Sequence, residues 1–359
     1  MSPSTPATSP RARRLLLVTA LCIATTVAAA LASLLLGAAE IPPATVASIL
    51  FGGAAEAEIE TAGGSLEPEM ARSIVLQLRL PRCLVGLLVG AALAVAGVLL
   101  QGLFRNALAA PGVVGTSAGG ALGAVLALSF GLGLRSSYLV PLGAIAGAFA
   151  SLVVVARIAR HRGRTSITDL LLAGVALNAF LSALNSFVIA RAWIDHEVAR
   201  RINFWLMGGI ADRDWSHVAI ALPGCAAGIA LAIAHARDLD LMLQGEDLAR
   251  SLGVDGERLK NVLLLATALL VGSAVAVSGV VGFVGLVVPH VVRLAIGPSH
   301  RALVLLSAVA GAAFVLLSDL IARTAVSPGE LQLGIVTAFV GAPFFVFLLI
   351  RERGRVETL

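Results

Sequence analysis

Long apolar runs broken by short polar interruptions make up almost the whole chain. Ten such runs stand out: 15–37, 83–104, 113–134, 139–156, 170–190, 217–234, 262–279, 281–296, 302–322 and 331–350. A straight helix needs about 20 residues to cross a hydrocarbon core of about 30 Å. Nine runs approach or exceed that length, and the eighth is short. It continues from the seventh with only Gly279 and Gly282 as punctuation. The weakly alternating ten-residue segments of a membrane β-barrel are absent. The pattern predicts an all-α polytopic membrane protein of about ten transmembrane helices. Residues 1–14 are expected to form a tail, 15–350 a single membrane domain, and 351–359 a second tail.

Composition agrees. The 359 residues are 58% hydrophobic and only 13% charged, against about 25% charged in a soluble domain. The 37 glycines suit a tight bundle, because small residues let helices approach closely in lipid. Arg11, Arg13 and Arg14 precede the first run, which is longer than the 7–15 residues of a signal-peptide core; a retained first helix is expected. Cys22, Cys83 and Cys225 lie in or beside apolar runs without metal-ligand spacing and read as small hydrophobes.

The net charge of +5 concerns topology rather than nucleic acid, because the basic residues sit in the short segments between runs. With the N-terminus inside, ten spans put seventeen Lys and Arg residues inside and nine outside, as the positive-inside rule requires. The stretch RIARHRGRT (157–165) weighs most. Both termini are then cytoplasmic, in a bacterial inner membrane. The first outside loop is acidic, with Glu40, Glu56, Glu58, Glu60, Glu67 and Glu69. Arg79 and Arg82, in QLRLPRCLVG (77–86), also fall outside, where the rule disfavours them. Headgroup snorkelling is one explanation. Pro81 between them reads as the rigid break that starts the second helix.

Lys260 is the only lysine, so a phosphate-cradling G-x-x-x-x-G-K-[ST] loop is impossible. Any ATP chemistry must come from another subunit. His290 has no His or Cys at metal-ligand spacing, and no nucleophile–base constellation is present. Asp319 and Arg323, at i and i+4, form a natural ion pair on one helix face. The longest inside loop, 236–260, reads as short amphipathic helices, with Met242, Leu243, Leu248 and Leu252 giving an apolar side and Gly253 a stop. Such a helix packs on its own bundle or slots into a cytosolic subunit.

Six ordered motifs carry a resemblance: LRLPRCLVGLLVGAALAVAGVLLQGLFRNALAAPGVVGTSAGGALGA (78–124), LLLAGVALNAF (170–180), FWLMGGI (204–210), LMLQGEDLARSLGV (241–254), GVVGFVGLVVPHVVRLAIGPSHR (279–301) and LLSDLIARTAVSPGELQLGIVTAFVGAPFFVFLL (316–349). On these the chain resembles the permease subunits of ATP-binding-cassette importers for iron chelates, haem and cobalamin, the FecCD/BtuC-like family, and within it the haem branch most. The resemblance implies a type II importer fold and a homodimer with its pathway on the two-fold axis. It also implies two cytoplasmic ATPase subunits carrying ATP and Mg, and a periplasmic binding protein that delivers haem or another iron chelate. No cofactor is implied in this chain.

By the same resemblance, Arg79, Arg82 and Arg323 correspond to arginines that meet carboxylates of the binding protein. The stretch Gln244–Gly253, with Gly245, Glu246, Ala249 and Leu252, corresponds to the coupling helices. Ile167 and Thr168 correspond to a cytoplasmic gate. Asn178, Ser182, Asn185 and Ser186, at helical spacing, are expected to line the path, because polar groups in a span tend to face an interior or a cavity. Two positions depart from the family pattern: Ala107 and Gln332 stand where relatives usually carry proline. Without the fixed φ and missing donor of proline, the tenth helix is expected to start slightly earlier.

Overall fold

The computed structural model describes residues 10–37, 39–53, 59–61, 64–161, 163–192, 195–326 and 329–356. Most of the N-terminal tail, Glu56, Glu58 and Arg162 lie outside them. Among the described residues ten apolar helices organise the chain: α1 (Pro10–Leu35), α2 (Pro68–Leu103), α3 (Thr116–Ser129), α4 (Leu139–Ile158), α5 (Ile167–Ala192), α6 (Trp215–Ala234), α7 (Gly256–Ser278), α8 (Val284–Ile296), α9 (His300–Thr324) and α10 (Leu333–Val356).

Seven of them, not ten, are long and apolar enough to cross a membrane. The exceptions are α3, α8 and the apolar part of α10, Leu333–Leu348. At 1.5 Å per residue the 14 residues of α3 and the 13 of α8 reach only about 20 Å. Their ends explain the shortfall. Gly115 (φ 85°) and Gly131 (φ 65°) bound α3 in left-handed conformations, and Phe283 (φ 66°) and Gly297 (φ 93°) bound α8.

Other boundaries also move. Helix begins at Pro10, inside the expected tail, and α10 runs on to Val356. Helix α10 does not start early: it begins at Leu333, and the Gln332 carbonyl accepts the Ile335 N–H at 3.0 Å. Pro81 does not start α2, which begins at Pro68 and runs for 36 residues. Its segment Ile74–Arg79 is a π-turn. A proline lacks its own N–H and clashes with the carbonyl four residues back, and a π-bulge upstream absorbs that disruption.

Helices α2 and α7 form the centre, with 78% of each apolar window buried, whereas α1 has 6% and turns Leu16, Leu17 and Leu21 outward. Helix α2 packs against α6, α7, α8 and α9, and α3 lies along α4. Bare backbone lets α2 approach its neighbours. A Cβ on Gly97 would overlap the Gly285 carbonyl oxygen of α8, and one on Gly90 would overlap that of Gly311 on α9.

The two ends of the bundle differ. Arg82 and Arg105 stand 23 residues apart across α2, about 35 Å along a helix. At one end lie Arg79, Arg82, Arg323 and Arg213, whose Nε donates to the Val277 carbonyl at 2.6 Å. At the other, Arg105 donates to the Met242 carbonyl at 2.6 Å, His300 pairs with Asp240, and Arg14 reaches the Leu294 carbonyl. The start of α1 and the 236–260 loop therefore share one end.

Gly97→Ala forces a methyl into the Gly285 backbone, which cannot rotate away. We expect a loss of about 3 kcal/mol or more, the upper range for overpacking. Thermal unfolding in detergent measures it, with Gly112→Ala, which meets nothing within 4 Å, as the control.

Candidate functional site

At the arginine end a buried carboxylate organises the surface. Asp319 on α9 is 1% exposed. The Arg82 guanidinium forks onto it, Nη2 to Oδ1 at 2.8 Å and Nε to Oδ2 at 3.1 Å. The same guanidinium holds Glu330 through Nη1 (3.1 Å) and Nη2 (2.9 Å). Arg323 stands 3.7 Å from Asp319, the pair its i, i+4 spacing predicts, and donates to Ser33 on α1. A planar fork suits this bidentate grip. Arg79 is buried and points elsewhere. Its Nη1 donates to the carbonyls of Leu34 (2.8 Å) and Leu35 (3.0 Å), and its Nη2 to that of Ala39. Leu34 and Leu35 carry orphan acceptors at the end of α1, so Arg79 closes that helix. All three arginines share one end, each already partnered within the chain.

Two flanking groups complete that end. Burial lowers the pKa of Arg213 despite Asp212 and Asp214 beside it. Burial works against the Asp214 charge, but hydrogen bonds from Ser216 and His217 outweigh it and pull its pKa down to about 2. Asp214 thereby caps α6, with His217 completing the box.

At the opposite end the 236–260 loop folds as two short helices, Ala236–Leu243 and Glu246–Ser251. The single apolar side expected there is split. Met242 packs into the bundle, whereas Leu248 and Leu252 are 45% and 58% exposed. Ala249 is buried beneath them; Gln244, Glu246 and Gly253 are exposed. Gly245, at φ 137°, takes a conformation open to glycine and sets the angle between the two helices.

The loop is tied to the start of α5. Lys260 on α7 is 5% exposed and holds Glu257 Oε1 at 2.9 Å, Glu246 Oε1 at 3.1 Å and the Thr165 carbonyl at 3.4 Å. Glu257 Oε2 accepts the Thr165 N–H at 2.8 Å. Ser166 Oγ then caps α5 by accepting the Asp169 N–H at 3.2 Å, an ordinary N-cap geometry. Ile167 and Thr168 come next, half-buried and exposed. An open, charged cleft of about 870 Å³ lies between the 161–169 and 246–260 segments.

The four polar residues of α5 do not form one stripe. Asn178 donates to the Gly112 and Val113 carbonyls and holds the turn before α3. Asn185 is buried, while Ser182 and Ser186 face outward. A 3.6-residue period places positions 178, 182 and 185 on one side of the helix, but neighbouring elements cover only part of that side.

An apolar cleft of about 710 Å³ opens instead between the 280–283 turn and α10, lined by Met207, Val280, Phe283, Ile335 and Phe339 among others. The signal for it was present in the sequence: glycines 279, 282 and 334 flank it. The left-handed Phe283, uncommon for a bulky residue, is visible only in the fold. His290 packs edge-on against Phe344, with ring centres 6.2 Å apart, and so ties α8 to α10.

The chain is thus a bundle of seven helices long enough to span a membrane, with short inserted helices and the short helix Glu246–Ser251 partly exposed at one end. Residues 25–351 match the FecCD transport family, and the chain belongs to that family as the permease subunit of an ABC-type importer. It is 43% identical over 289 residues to the cobalamin import system permease protein BtuC of Halobacterium salinarum, covering 80% of this chain and 75% of that one. It is 41% identical over 287 residues to the hemin transport system permease protein HmuU of Yersinia pestis, covering 78% and 84%. A solved structure described as an inward-facing conformation of a metal-chelate type ABC transporter superposes with a TM-score of 0.78 at 30% identity, over 94% of this chain and 99% of the other. The relatives include more than one cargo branch.

Arg82→Ala removes the fork from a carboxylate buried in the protein and leaves Asp319 with Arg323 at 3.7 Å. Breaking a buried pair from one side costs about 3–5 kcal/mol. We expect a large drop in the detergent melting temperature, only partly recovered by Arg82→Lys, which lacks the fork.

Proposed function

We propose that this chain is the permease of an ATP-driven importer that carries haem, or another iron chelate, from periplasm to cytoplasm as a homodimer. The observation that carries the reading is the Glu246–Ser251 helix, which presents Leu248 and Leu252 at one end of the bundle. Exposed leucines on a short helix outside the spans need a cover, and a cleft in each of two cytoplasmic ATPase subunits would provide it. ATP favours one of two arrangements of the complex and thereby drives alternating access. With the loop end inside, the start of α1 and the end of α10 are cytoplasmic.

Haem is the favoured cargo. A wide apolar cleft bounded by Phe283, Phe339 and Met207 suits a large flat macrocycle that is handed over rather than tightly held. The likeness to the hemin permease supports the same choice. Cobalamin is the second reading, supported by the likeness to BtuC. The arginine end is the landing site of the periplasmic binding protein. Arg82 is the member of the three whose second partner, Glu330, is itself 39% exposed, so an incoming carboxylate takes the place of Glu330. Arg79 and Arg323 shape that surface from beneath. Such contacts govern docking orientation and on-rate more than affinity.

In proteoliposomes, the complex with its ATPase and binding protein takes up hemin on ATP addition, and the lone permease does not. Uptake by the lone chain sinks the importer reading. A Soret band on the loaded binding protein identifies haem, and a corrin spectrum there replaces haem with cobalamin. For the landing site, Glu330→Gln frees one side of Arg82; the binding protein then docks more tightly with a steeper salt dependence. An unchanged salt series returns Arg82 to a purely structural role.

A further inference from the structure

The only lysine of the chain joins three segments that differ in exposure and in neighbours. Its ammonium lies among Glu246 of the exposed loop helix, Glu257 of its own helix α7, and the carbonyl of Thr165. Thr165 is buried, and its N–H is held by the same Glu257. Both backbone polar groups of Thr165 are therefore held by this cluster, one residue before the cap of α5 and two before Ile167.

Exposure is graded along the chain of contacts. The Glu246 side chain is 52% exposed, that of Glu257 31%, and that of Lys260 7%. A force on the outer helix reaches Glu246 first. With only 7% of its side chain exposed, Lys260 depends on these three acceptors, so losing Glu246 leaves the ammonium under-compensated. The response is to shift toward Glu257 and Thr165, which alters the grip on the start of α5. A purely passive clamp would not require the exposed carboxylate, since Glu257 alone pairs with Lys260 within one helix turn.

We propose that Glu246, Lys260 and Glu257 form a latch that transmits movement of the Glu246–Ser251 helix to the entry of α5 at Thr165. Lys260 is a positioning residue in this relay. The proposal rests on the reading of the chain as an ATP-driven permease, and deepens it by naming the path from the coupling helix to the gate.

The test is amide hydrogen exchange on the full complex with its ATPase subunits, nucleotide-free and with a non-hydrolysable ATP analogue, without cargo. In the wild type, exchange over Gln244–Leu252 and over Thr165–Asp169 both change with nucleotide. In Lys260→Met the change over Gln244–Leu252 persists, while that over Thr165–Asp169 shrinks about fivefold, the lower end of typical couplings between sites. Glu246→Gln keeps the Lys260–Glu257 pair and covers the case in which Lys260→Met folds poorly. The double variant is no worse than either single one, because the two act through one contact. Faster absolute exchange at Thr165 with an intact nucleotide response shows a merely structural clamp and overturns the latch. So does a wild type that responds at Gln244–Leu252 but not at Thr165–Asp169. A wild type that responds at neither segment sinks the ATP-driven reading itself.

Discussion

Close backbone contact around α2 is the constraint on which the rest depends. In lipid no hydrophobic force pulls one helix onto another, so association relies on packing and on polar groups satisfied inside the bundle. Gly90 and Gly97 bring α2 within backbone distance of α9 and α8. That proximity carries Arg82 to Asp319 on α9 and puts the short helix α8 beside the centre. Without it neither the arginine end nor the apolar cleft at the 280–283 turn would exist in this form.

The two ends solve the same electrostatic problem differently. At the arginine end a buried carboxylate is shared between two guanidinium groups. At the loop end a buried ammonium is shared between two carboxylates and a backbone carbonyl. Each cluster reaches the surface through carboxylates, Glu330 at one end and Glu246, with the less exposed Glu257, at the other. In both clusters the buried charge is compensated inside the protein, so neither end exposes an unpaired charge to lipid.

The seven long helices were legible because apolar length is a local property. Asp319 and Arg323 were paired correctly from their spacing alone. Other features were not local. Arg79 and Arg82 look equivalent in the sequence, three residues apart, yet one closes α1 and the other grips α9. The difference arises because α1 ends beside Arg79 while α9 packs beside Arg82. The α5 polar residues met a similar fate: helical period put them on one side, but neighbours decided that Asn178 holds the turn before α3 and Asn185 is buried.

The sequence by itself determined a polytopic helical protein, a chain that carries no phosphate-cradling lysine loop, and short helices in the 236–260 loop. These rest on composition, run length and the absence of a motif, none of which needs a partner residue. Only the tertiary structure decided that two of the ten apolar runs are short helices, bounded by left-handed residues at Gly115, Gly131, Phe283 and Gly297. It also decided which arginine meets which acceptor, and that Lys260 reaches both Glu246 and Thr165. Those contacts join residues up to 290 positions apart, and only the packing of helices brings such positions within a hydrogen bond of each other.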